Sequence, residues 1–242
     1  MSAAARSYSL YLESGPKRRK TMVHVLDLPG CIAQGATTDA AMAATPGAIR
    51  AYLQFLQRHG EVVDPDSIGP TIVAAHVMEG YWLGNGDPTP GFEPDFEALT
   101  TGELETGLRH LGWMRSEVLE LLDKLPQARL DAGWDGPGRS IRGIVEHVAN
   151  ADATYLRYIV GKVEGLSDAL RAVERGPAPI RPALLNLWQL SAARLGALTE
   201  SERSQPIPHG QVIWTARRGM RRMLEHQWEH LQEMYDRLGA EP

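Results

Sequence analysis

A chain of 242 residues is long for one small domain and comfortable for two, since domains commonly run to roughly 100–200 residues. Its 43% hydrophobic and 23% charged residues are the make-up of a globular protein and exclude long-range disorder. A net charge of −5 argues against non-specific polyphosphate binding, which depends on Lys and Arg releasing counterions, so nucleic acid is a disfavoured partner.

The first 75 or so residues read as strands followed by a helix. Tyr8 to Leu12 alternates between polar and apolar, and so does Met22 to Leu26, as half-buried strands do. Gly15-Pro16 signals a turn between them, with Lys17-Arg18-Arg19-Lys20 at a solvated hairpin tip. A short run, Cys31-Ile32-Ala33, is expected to end at Gly35. Thr37, Thr38 or Asp39 can then cap a helix running towards Leu56, with Gly60 as its stop. Thr45-Pro46-Gly47 should kink or interrupt that helix, because Pro removes a backbone donor. Thr71 to Met78 is β-branched and apolar, as a further strand would be. Breakers crowd Gly84 to Gly91, which places a linker and the domain boundary within residues 81–99.

From Thr100 onward the pattern is helical. Thr100 and Glu103 have capping-box spacing before the run Leu104 to Leu125, which Pro126 closes. A second helix begins after Gly136-Pro137-Gly138 and carries Ile141, Ile144, Val145, Val148, Tyr155 and Ile159 at helical spacing. A third runs from about Pro182 to Ser201 and a fourth from about Thr215 to Leu238. Four amphipathic helices without a convincing strand argue for a bundle over residues 100–242. The stretch from Gly161 to Ile180 is long for a hairpin, suits a crossover connection, and can hold a short helix near Ser167 to Val173.

Single Cys31 cannot form an internal disulfide, which fits a reducing compartment. The amino terminus lacks the charged-then-apolar design of a signal peptide, and no apolar run approaches the roughly 18 residues of a membrane helix. The expectation is a cytoplasmic protein with no membrane partner.

The fourth bundle helix contains His226-Gln227-Trp228-Glu229-His230. Histidines four apart lie on one helical face and can converge on one ion. A third ligand must come from elsewhere, and His147 on the second bundle helix is the best candidate. At roughly 100° per residue, His147 lies about 110° from the centre of its helix's apolar stripe, and His226 a similar angle, in the same sense, from that of its own. His230 sits nearer its stripe. Histidines at the margins of two buried faces can meet in a cleft open to solvent, where a catalytic ion keeps a free coordination position. The alternative is that they are surface or core residues without a metal.

Ser140 to Asp152, SIRGIVEHVANAD, resembles the second-helix signature of the DinB superfamily, which includes bacillithiol- and mycothiol-dependent transferases. Arg222 to His230, RMLEHQWEH, resembles that superfamily's fourth-helix HxxxH signature. The likeness covers residues from about 105 to 240 and implies a divalent metal, zinc or nickel, on His147, His226 and His230. It further implies a thiol-dependent transferase, isomerase or hydrolase acting on a small-molecule substrate, and a homodimer. Arg218 and Arg222, among the arginines opening the fourth helix, are candidate contacts for the carboxylates of a low-molecular-weight thiol cofactor. The competing reading makes these arginines ordinary ion-pair partners, as Arg221 would be of Glu225.

The run Asp27 to Thr38, DLPGCIAQGATT, followed by Ala48-Ile49-Arg50-Ala51-Tyr52-Leu53, is similar to HicB-like antitoxin domains. Those are small α/β domains with a Leu-Pro-Gly-Cys turn and a helix ending in Ala-Ile-x-x-Tyr-Leu. The expected architecture is therefore α+β with two domains, a HicB-like domain over residues 1–80 and a DinB-like four-helix bundle over 100–242. HicB antitoxins usually add a DNA-binding segment and neutralise a small RNA-cleaving toxin. Here a helical bundle follows instead, so a toxin-like protein partner is disfavoured. A non-enzymatic regulatory or interaction module built on this half stands as the alternative to a metal-dependent enzyme.

Overall fold

In a computed structural model of the protein, residues 6–15, 19–78, 83–86, 89–132, 138–175 and 179–240 are described. The alternating segments form strands β1 (Arg6–Ser14) and β2 (Arg19–Val25), followed by β3 (Ile32–Thr37), helix α1 (Thr38–Arg58) and β4 (Ile68–Val77). The strand order is β3-β2-β1-β4, antiparallel except for β4, which runs parallel to β1. A parallel pair needs a crossover, and α1 supplies it. Leu10, Leu12, Met22, Ile49, Tyr52 and Leu56 form the core between helix and sheet.

Three local expectations need correction. Strand β3 does not stop at Gly35 but continues to Thr37, because Gly35 and Thr37 remain paired with Thr21 and Arg19 of β2. Helix α1 is not interrupted at Pro46: it is continuous over 21 residues, capped by the Thr37 side chain. Pro46 sits on the exposed face, where water can serve the carbonyl its ring leaves unbonded, while Thr45 Oγ1 donates to Ala41 O at 2.9 Å. The basic run does not lie wholly at a turn, since Arg19 and Lys20 already belong to β2. Pro16, Lys17 and Arg18 lie outside the described residues, as do parts of the expected linker and Gly136-Pro137.

The chain divides between Phe96 and Glu97 into two compact units. In the second, four long helices dominate: α2 (Thr101–Lys124), α4 (Ile141–Val160), α6 (Ile180–Gly196) and α8 (Ala216–Leu238). Between them lie the short helices α3 (Gln127–Asp131), α5 (Leu166–Arg175) and α7 (Glu200–Ser204). Helix α2 opens on the full capping box of Thr100 and Glu103; Ser140 and Thr215 cap α4 and α8 with their side-chain oxygens. The long connection after α4 holds α5, which packs on α4 and α6. The expectation of a bundle without strands needs correction, because β5 (Ile207–His209) and β6 (Val212–Trp214) form a short antiparallel hairpin just before α8.

Helix α8 packs against both α2 and α4. Gly219 allows the approach to α4: a Cβ there would stand 2.9 Å from Cγ2 of Ile159. Leu111, Met114, Val118, Ile144, Val148, Leu184, Leu187, Met223 and Leu231 fill the interior. Charge is buried there too. Arg115 of α2 donates to Asp152 of α4 at 2.8 Å and stacks over the Trp188 ring of α6. No helix among the described residues is long and apolar enough to cross a membrane.

Candidate metal centre

His147 lies two turns into α4, and His226 and His230 lie on one face of α8. Because α4 packs directly on α8, the three rings meet, with centroids 4.6 to 5.0 Å apart. One nitrogen from each falls within 4.8 Å of the others. Nε2 of His147 and Nε2 of His226 are 3.1 Å apart. Two imidazole nitrogens each about 2.1 Å from one ion stand roughly 3.0–3.4 Å apart at tetrahedral or octahedral angles, so this pair fits a shared metal.

Two of the rings, His147 and His226, are held towards the neutral form that a metal ligand needs. Burial, followed by the charge of His230, pushes His147 down to about 4 from its ordinary 6.5. Burial likewise holds His226 well below 6.5, with His230, His147, Arg222 and Arg139 acting in the same direction. Neutral imidazole can then bind a cation without first losing a proton.

His147 is half-buried and lines an open cleft with Gly143, Glu146 and Asn150 of α4 and Glu174 of α5. Asn150 Nδ2 donates to Glu174 at 2.9 Å across this cleft. Burial raises the Glu146 carboxyl, with Glu174 and Asp131 adding to the rise. His226, expected from its helical-wheel position at a margin, is in fact only 7% exposed, close to the 8% of His230. The reason lies in its cover. Tyr155 of α4 meets the His226 ring edge-on and stacks against Trp214 of β6, which is itself buried. The open side of the centre is therefore the α4–α5 cleft at His147.

The candidate arginines of α8 lie deeper than a cofactor contact would need. Arg218 and Arg222 are each only 2% exposed. Arg222 donates to Glu225 at 2.9 Å, as does Arg221, and Arg218 stacks over Trp214 and donates to Ile213 O. The structure brings Arg222 near enough to influence His226 electrostatically, but places neither guanidinium among the residues lining the His147 cleft. Glu233 was missed by the sequence reading: its carboxylate meets Nδ1 of His230 at 2.6 Å and also pairs with Arg237. The signal was present, since residues 230, 233 and 237 fall on one helical stripe. Nothing in the sequence pattern pointed to Trp214.

Compared with known proteins, residues 74–234 match the family model of the DinB superfamily, a span covering two-thirds of the chain and all three histidines. No curated protein and no solved structure matches the chain.

Proposed function

This chain belongs to the DinB superfamily, and on that basis we propose that it is a divalent-metal protein, with the ion held by His147, His226 and His230, acting as a transferase or hydrolase on a small molecule. The observation that carries the reading is the convergence of three imidazole nitrogens within 4.8 Å beside an open cleft. Three protein ligands leave a coordination position for substrate or water, the arrangement of catalytic rather than structural sites. A divalent ion so held lowers the pKa of a coordinated thiol or water. Around it, Tyr155 and Trp214 keep solvent from the His226 side, and Glu146, Asn150 and Glu174 line the approach at His147.

Zinc and nickel both suit three imidazoles. A low-molecular-weight thiol as cosubstrate rests on the superfamily likeness alone, because Arg218 and Arg222 are engaged inside the bundle. The test is elemental analysis of protein purified without a histidine tag, after supplementation with zinc and with nickel. Wild type should hold one ion per chain and His226→Ala little or none. Absence of stoichiometric metal in wild type would overturn the proposal.

For the first unit we infer a HicB-like domain. Its two motif segments support this: the Tyr52 hydroxyl of the Ala-Ile-x-x-Tyr-Leu segment donates to Pro29 O in the Leu-Pro-Gly-Cys turn at 2.6 Å. Co-purification of a small toxin-like protein with metal-free chain would favour the non-enzymatic reading of this unit instead.

A further inference from the structure

The stripe of α8 that carries His226 and His230 extends beyond them. Residues 226, 230, 233 and 237 are spaced by four, three and four, so they share a helical face. Nδ1 of His230 lies 2.6 Å from Oε2 of Glu233, and the other carboxylate oxygen accepts from Arg237. A neutral imidazole bonded to a carboxylate through Nδ1 carries its proton there, which leaves the Nε2 lone pair as its only donor to a cation. Nε2 is also the atom that His147 and His226 present to each other.

Arg237 is fixed in turn. Its guanidinium donates to the backbone carbonyl of Arg139, one residue before the α4 N-cap Ser140. It passes Gly138 so closely that a Cβ there would stand 2.2 Å from Nη2. Gly138 also holds a φ of +144°, which side-chain-bearing residues rarely adopt. The chain His230–Glu233–Arg237–Arg139 thus ties the α8 ligand to the start of the helix that carries His147. An ordinary i,i+4 surface pair would need neither the histidine contact nor the anchor on α4. The side chains of Arg237 and His230 are only 11% and 10% exposed and that of Glu233 30%, so the bonds are partly shielded from water. By contrast, Nδ1 of His226 is buried without a hydrogen-bond partner among the described residues.

We propose that Glu233, held by Arg237, is a positioning residue of the metal centre: it sets His230 in the Nδ1–H form and aims its Nε2 at the ion. This rests on the metal reading for its consequence, but the tautomer is a property of the metal-free protein. Carboxylate partners of ligating histidines typically account for about 10–100-fold in metal affinity.

Two readouts test it on the full chain. The first is the protonation pattern of the His230 ring nitrogens by ¹⁵N NMR of metal-free protein at about pH 8, above the ordinary histidine range. The second is affinity for Zn²⁺ alone by competition with a chelator. Wild type should show Nδ1–H at His230, and Glu233→Ala should shift it towards Nε2–H and weaken zinc about 10–100-fold. Glu233→Gln, which keeps an acceptor oxygen, should retain the tautomer and restore part of the affinity. An Nε2–H ring in wild type, or a Glu233→Ala protein unchanged in both readouts, would overturn the proposal. Should wild type bind no zinc, the metal reading falls and the ring measurement alone decides: a shift in Glu233→Ala supports positioning by Glu233, and no shift refutes it.

Discussion

Nε2 of His147 and Nε2 of His226 face each other at 3.1 Å across the α4–α8 contact. Neither ring readily takes a proton in the folded chain, because burial pushes His147 down to about 4 and holds His226 well below 6.5. In the unfolded chain both titrate near 6.5. Between about 6.5 and 4 the unfolded state therefore binds more protons, and folding stability, complete above this window, falls as the pH drops through it. Metal-free wild type should show a falling urea midpoint from about pH 7 to pH 4.5. The double variant His147→Gln/His226→Gln should lose part of that slope. Equal slopes in the two proteins would contradict the assignment.

Gly219 lies seven residues before His226, two turns along the same face of α8, and touches Ile159 of α4. A methyl group there meets a branched side chain that cannot swing aside cheaply, and overpacking of this kind costs about 1–3 kcal/mol. Gly219→Ala should lower stability by that amount in urea unfolding. It should also weaken zinc binding, because pushing α8 from α4 separates His226 from His147. Unchanged affinity with lowered stability would mean that the two helices yield locally at Gly219 without moving the centre.

The Arg115–Asp152 pair joins α2 to α4, with side chains 7% and 1% exposed. Burial raises the Asp152 carboxyl even against Arg115, so the pair stands on its partners rather than on solvent. Removing one member strands a charge. Arg115→Met should cost about 3–5 kcal/mol, while the double change Arg115→Met/Asp152→Leu should recover much of that loss. A double-mutant cycle by urea unfolding measures both.

Much of the bundle was legible because its signals are local. The Thr100–Glu103 capping box, the apolar periodicity of the four helices and the four-residue spacing of His226 and His230 each follow from neighbours along the chain. The burial of His226 was not legible. Arg218 and Arg222, offered by the sequence as cofactor contacts or ordinary ion-pair partners, are buried with Arg221 and Glu225, their charges met by Glu225, Trp214 and a backbone carbonyl that only the fold assembles. The three-residue strands β5 and β6 are too short for alternation to register, so the aromatic cover at Trp214 left no pattern to find. Pro46 misled because the cost of a proline within a helix depends on whether the freed carbonyl faces water, which composition does not state.

In the first unit, Gly30 and Tyr52 offer a test of why its two sequence motifs occur together. Gly30 has a φ of +104°, and a Cβ there would lie 2.5 Å from the Tyr52 hydroxyl, which donates to Pro29 O. The turn thus needs a glycine for its backbone and a tyrosine for its anchor. Tyr52→Phe removes one hydrogen bond and leaves a carbonyl to find water, a loss of about 1 kcal/mol. Gly30→Ala adds the left-handed penalty, about 1–2 kcal/mol, to a collision with that same hydroxyl. With both changes together the collision is relieved but the backbone penalty stays, so the double variant should be less destabilised than the sum of the singles. Additive losses in urea unfolding would show that the turn and the hydroxyl act independently.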